Sequence, residues 1–256
     1  MKAESFNLTA LSDRLFAEKR LLSLAGKIRR AQHLGSMHAD LVMAAESLDA
    51  LEELYSQSPS DDFSRQITEF ALLSNALLLY ARATKTTSKE RGSFDLLSRF
   101  SADEKVVHQE LVDLRDHAIA HFGSGGSYQG LWQAETVILQ TTDEGGRVGV
   151  PTRRATRDRQ LAARARKQVE TARALIFEIT QQKNDDVTDE LNSMTPEVLK
   201  EEVFQHPINL DIFLGSSEAA NAARTSANQG GYTKGIVRTP QNSSKFSTPP
   251  SPQSTD

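Results

Sequence analysis

Apolar residues recur through the first half of the chain at the spacing of α-helices. Leu8, Leu11, Leu15, Leu22 and Ala25 fall near one stripe of a helix over residues 8–31, with Arg14, Lys19, Arg20 and Lys27 largely off it. Gly26 is a weak point inside that helix, and Gly35-Ser36 marks a break. Met37 to Tyr55, carrying Leu41, Ala44, Ala45, Leu48 and Leu51, predicts a second helix. Ser58-Pro59-Ser60-Asp61 reads as a turn, with Ser60 or Asp61 as N-cap of a third helix from Phe63 to about Ala83. Phe70, Leu72, Leu73, Leu77, Leu78 and Leu79 wrap most of that helix, which predicts a central position. A polar loop from Lys85 to Gly92 and a short helix over 93–100 follow. Ser101 with Glu104 three residues on then forms a capping box that opens a fourth helix. Val107, Leu111, Leu114 and Ala118 share one face of it, and Gly123, Gly125 and Gly126 stop it.

Beyond the glycines the period changes. Trp132, Thr136, Val137, Ile138 and Leu139 favour strand, Asp143-Glu144-Gly145-Gly146 is a tight-turn signal, and Arg147 to Val150 reads as the return strand. One β-hairpin is therefore predicted near 131–150. Arg157 to Gln182 is a long helix with Leu161, Ala165, Val169, Ala172, Leu175, Ile176 and Ile179 inward, ended by Asn184-Asp185-Asp186. Thr195-Pro196 opens a short last helix to about Phe204, and Leu210, Ile212, Phe213 and Leu214 form an apolar patch able to dock on the body. From Gly215 the composition turns to Ser, Asn, Gln, Thr, Gly and Pro, which cannot bury enough surface to fold alone. The expected organisation is a mainly α bundle over 1–214 with one hairpin, then a disordered tail over 215–256.

Composition narrows the class without choosing a function. With 256 residues, 38% hydrophobic and 25% charged, the chain is an ordinary globular protein with enough length for a sizeable core. The absence of cysteine excludes disulfides and thiolate metal sites and agrees with a reducing cytoplasm. No signal-like run and no stretch near the ~20 apolar residues of a membrane span is present, so no membrane association is expected. The net charge of -4 argues against a globally basic nucleic-acid binder and leaves room for local basic patches.

Candidate chemistry gathers at the end of the fourth helix. At about 100° per residue, Arg115 projects roughly 40° to one side of Leu111 and His121 roughly 80° to the other. A guanidinium and an imidazole thus flank the apolar stripe, where they can converge on one anionic group. The resemblance that Arg115 and His121 carry to a known family, the HEPN superfamily, implies RNA cleavage without a metal, which needs a base for the 2′-OH proton, an acid for the leaving oxygen and a cation for the phosphate. Histidine titrates in the range suited to either proton role, and arginine holds phosphate bidentately.

Arg115-Asp116-x4-His121, preceded by Leu111-x-x-Leu114 and followed by Phe122, resembles the Arg-x4-6-His signature of the HEPN superfamily. The order of helices before it fits as well, so the resemblance covers roughly residues 6–125. It implies a short helical bundle that dimerises with two such motifs facing each other. It also implies a metal-independent endoribonuclease of the toxin–antitoxin or abortive-infection kind, without cofactor. Arg115, Asp116 and His121 would be its catalytic set, and RNA, a second copy and an antitoxin protein its partners. Other members of the family have lost catalysis and serve as binding scaffolds.

The same residues admit other readings. Arg115 and Asp116 fit surface ion pairs, and His121 fits a histidine drawn to a helix C-terminus by its dipole. Asp113, His117 and His121, four apart, form a line able to hold a divalent metal, which would make the chain a metal-dependent hydrolase; no second set of ligands accompanies them, since His33 and His38 are five apart. His108, near Arg115 around the helix, either extends the polar pocket or sits at its boundary. Residues 153–173 are strongly basic: Arg153, Arg154, Arg157 and Arg164, with Arg159, Arg166, Lys167 and Arg173, suit an RNA backbone or simply a solvated face. Phe122, Tyr128 and Trp132 nearby either stack bases or pack.

Overall fold

The computed structural model describes residues 4–58, 62–85, 94–116, 133–142, 145–154 and 158–228. It is mainly helical with an antiparallel hairpin, as the periodicity predicts. The helices are α1 (Leu8–Glu18), α2 (Leu22–Ser56), α3 (Phe63–Thr84), α4 (Ala102–Leu114), α5 (Arg159–Asn192), α6 (Pro196–Glu202), α7 (Leu210–Leu214) and α8 (Ser217–Asn228). The strands are β1 (Gln133–Glu135), β2 (Ile138–Thr142), β3 (Gly145–Gly149) and β4 (Thr152–Arg154). Contacts divide the described residues into two compact units, a larger one within 12–193 and a smaller one formed by 4–11 with 194–228.

In the larger unit, α2 lies between α3 and α5 and packs along both. The helix predicted to be central, α3, is instead a flank. Its Leu73, Ala76, Leu77 and Tyr80 are buried, while Phe63, Ile67 and Leu78 face solvent. The break predicted at Gly35-Ser36 is absent. α2 passes through Gly35 because Leu34, Met37, Leu41, Ala44 and Leu48 keep one buried face across it. Glycine is only a propensity penalty, and burial of that face outweighs it.

The actual break lies earlier, inside the predicted 8–31 helix. Lys19 takes a left-handed φ of 56°; its N–H donates to Phe16 O at 3.3 Å, and that of Arg20 to Leu15 O at 3.0 Å. This is a Schellman closure, with lysine where glycine is usual. Leu21, also left-handed at φ 41°, then opens α2.

Helix starts follow local chemistry. Asp62, one residue past the expected cap, accepts from Ser64 N–H at 3.1 Å. The Ser101–Glu104 capping box forms in both directions, Glu104 N–H to Ser101 Oγ at 3.3 Å and Ser101 N–H to Glu104 Oε2 at 2.8 Å. A 3-10 turn, Leu97–Arg99, replaces the short helix expected over 93–100. α5 does not end at Asn184-Asp185-Asp186. Asp186 pairs with Lys183 at 2.5 Å, Glu190 pairs with Lys27 of α2 at 2.6 Å, and Val187 is buried, so ten further residues of helix carry contacts.

The hairpin is longer than predicted. Thr142 faces Gly145 and Ile138 faces Gly149; the same register continues in Glu135 opposite Thr152 and Gln133 opposite Arg154. The ladder is interrupted at Pro151, which has no N–H to give, but its carbonyl still accepts from Thr136 N–H at 3.2 Å. Residues 143 and 144 of the predicted turn lie outside the described residues.

In the smaller unit, Phe6 stacks on Phe204 at 4.9 Å and Asn7 N–H donates to His206 O at 2.7 Å. α6 starts on Thr195 as predicted. The apolar patch expected to dock becomes α7, with Ile212 and Phe213 exposed. Of the tail expected from 215 on, Ser217–Asn228 is helical because Ala220 is fully buried and Arg224 pairs with Asp211 at 2.7 Å; residues 229–256 lie outside the described residues. Among the described residues no helix is long and apolar enough to cross a membrane.

Candidate functional site

α4 buries His108, Leu111, Val112 and Leu114, which fixes its rotation and brings the residues just past it beside the C-terminus of α3. At the C-cap of α4, Arg115 N–H donates to both Leu111 O and Val112 O, which closes the last described turn.

Arg115 Nη1 donates to Asp116 Oδ1 at 2.6 Å. Its side chain is one-third exposed, yet its Nε is buried and has no partner among the described residues. The other Asp116 oxygen, Oδ2, accepts from Lys85 Nζ at 2.5 Å. Lys85 caps the C-terminus of α3, the end of a helix where a cation is favoured. One carboxylate thus spans two cations at the ends of two helices. The hydrogen bond from Lys85, aided by that from Arg115, holds the Asp116 carboxyl below its ordinary range.

Sequence reasoning missed Lys85. It precedes Asp116 by 31 residues and belongs to another helix, so no periodicity links them; a lysine at the end of an apolar helix was the available signal. Asp116 lies against its neighbour Arg115. His121, the third member of the predicted set, lies outside the described residues, as do His117 and the aromatics Phe122, Tyr128 and Trp132.

His108 belongs to the core. It is 4% exposed, its Nδ1 lies 2.8 Å from Tyr80 Oη, and Gln168 Nε2 donates to the same phenol at 3.2 Å. Burial, and then the charge of Lys85, lower its pKa and keep the ring neutral near pH 7. Burial raises that of Tyr80. His108 therefore braces α4 against α3 and α5 and does not extend the polar pocket.

The basic stretch is laced with acids where it is described. Arg164 makes a two-pronged pair with Glu110 of α4, at 2.6 and 3.0 Å. Arg166 pairs with Asp49 of α2 at 2.6 Å, and Arg173 with Glu170 at 2.7 Å. Arg159 donates to the Tyr55 carbonyl. Arg153 and Arg154 lie in β4, opposite Ala134 and Gln133, and Arg157 lies outside the described residues. Asp113, the carboxylate of the metal reading, accepts from Gln109 Nε2 at 2.7 Å. Among the described residues no three metal-ligating side chains stand together. Compared with family models, curated proteins and solved structures, the chain finds no match in any of the three.

Proposed function

We propose that this chain is a metal-independent endoribonuclease of the HEPN type, acting as a homodimer, with Arg115, Asp116 and His121 as its working groups. The observation that supports this reading best is the fixing of Arg115 by Asp116 at the end of α4, six residues before a histidine. Asp116, itself anchored by Lys85, holds Nη1 of the guanidinium and so presents Nη2 to a phosphate oxygen, while Nε stays buried. His121 takes the 2′-OH proton or returns one to the leaving 5′ oxygen, and Arg115 stabilises the charge that builds on phosphorus. A second copy across a two-fold axis supplies the second proton-transfer group. Arg164 joins an RNA surface only after releasing Glu110, so sequence-independent affinity would rest on Arg153, Arg154 and Arg157.

The test is cleavage of total RNA or a model tRNA in EDTA. His121→Ala should lower the rate by roughly 10²–10⁴, the usual worth of a general acid or base. Arg115→Ala should cost a similar amount, and Arg115→Lys should restore little, because a point charge does not reproduce the fork. Cleavage that needs added zinc or manganese, and that depends on His117 as much as on His121, would shift the assignment to a metal-dependent hydrolase. A non-catalytic scaffold of the same fold draws support from the pairing of Arg164, Arg166 and Arg173 with carboxylates. Absence of cleavage by an intact fold would favour it.

A further inference from the structure

A cavity of about 600 Å³ opens in the larger unit between α1, α2 and α5. Phe16, Leu34, Met37 and Ile179 give it an apolar floor. Arg29, Arg30 and Lys183 stand in its wall, and among the described residues no carboxylate does. The α2 part is a single face: Gly26, Arg29, Arg30, His33 and Met37 recur at i, i+3, i+4, i+7 and i+11. Lys183 lies one turn beyond Ile179 on α5.

The cations are positioned. Arg29 lies 4.2 Å over the Phe16 ring and donates to Asp13 at 2.7 Å; Lys183 pairs with Asp186 at 2.5 Å. Asp13 and Asp186 stand back from the lining, so three cations face the cavity and their two counter-charges do not. Arg30 is exposed and forms no ion pair among the described residues, sensing Asp186 only through space.

Gly26 shapes the opening. Glycine is a poor choice for a helix interior, yet α2 carries one here, and a Cβ at this position would meet nothing within 4 Å. The missing side chain leaves that part of the cavity open.

We propose that this cavity binds a small amphipathic anion, an acyl chain or ring bearing a carboxylate or phosphate head. An apolar floor desolvates the body, and a fork-bearing arginine pair with a lysine receives the oxyanion. The volume lies in the range of small-molecule sites, about 300–1,000 Å³. The site shares no residue with Arg115, Asp116 or His121, so it stands or falls apart from the ribonuclease reading.

Calorimetric titration of the full chain with decanoate, decyl phosphate, decanol and decylamine tests it. One or both anions should bind saturably, with decanol and decylamine at least about tenfold weaker. Tighter binding of decanoate assigns a carboxylate head, and tighter binding of decyl phosphate a phosphate head. Gly26→Leu, entering open space and improving helix propensity, should weaken the anion by about tenfold or more while Tm holds or rises. Arg30→Glu, at an exposed position, should remove the preference for the anions over decanol. Failure of both anions to saturate, equal affinity in wild type and Gly26→Leu, an anion preference that survives Arg30→Glu, or decylamine binding as tightly as the anions would overturn the assignment.

Discussion

Tyr80 ties three helices together in the interior of the larger unit. Its hydroxyl serves His108 and Gln168 at once, from three different helices, in a place closed to water. Tyr80→Phe keeps the ring and strips both partners of their bond. It should cost about 1–3 kcal/mol, read as a lower urea midpoint. His38 and His108 add a pH dependence. Burial lowers the pKa of both, with Arg173 adding to it at His38 and Lys85 at His108. For a depressed pKa the stabilising contribution is complete above the unfolded value, about 6.5, and is lost as pH falls through the folded one. The urea midpoint should therefore decline as pH drops from about 7 toward 5. Asp116 titrates in a separate, more acidic window: its carboxyl is held down by Lys85 and then Arg115, so the clamp is complete at neutral pH and is lost only below the ordinary carboxylate range.

At the scale of elements, α2 carries two glycines that its backbone does not require. Neither Gly26 nor Gly35 has a positive φ, and a Cβ at either meets nothing within 4 Å. Gly35→Ala should stabilise the protein by about 0.5–1 kcal/mol, seen as a higher Tm. Gly35 also shows where sequence reading works and where it stops. The Ser101–Glu104 box was legible because both partners lie within one turn and the bond is made from adjacent chain. The α1–α2 break was not, because Lys19 and Leu21 adopt left-handed backbone without the glycine or asparagine that would announce it. The last turns of α5 were misjudged for a different reason: Asn-Asp-Asp is a local stop signal, and Lys27, more than 150 residues away, contributes the ion pair that overrides it. At the candidate site, Arg115 and Asp116 were legible as neighbours on a helix end, and Lys85 was not. Local chemistry could be read, and contacts between helices could not.

For the whole molecule, assembly decides how much chemistry one chain can support. A single Arg115 and His121 supply few groups for both halves of a phosphodiester cleavage, so the proposed ribonuclease requires two copies, joined through the C-terminal half of α4 and the residues after it. Light scattering at micromolar concentration should give the mass of a dimer; a monomer at that concentration would remove the second proton-transfer group and the mechanism with it.

The placement of α2 between α3 and α5 has a consequence for how the protein breathes. An amide in a helix covered along both sides is released to solvent only when the structure around it comes apart, whereas one in a two-stranded ribbon is released by local fraying. Val137, Leu139, Val148 and Val150 of the hairpin are all more than half exposed, so little holds that ribbon closed. Deuterium should enter β2 and β3 early and the span from Leu41 to Leu51 last, at a rate set by global unfolding. Gly35→Ala should then slow exchange over Leu41 to Leu51 while leaving the hairpin's rate as it was.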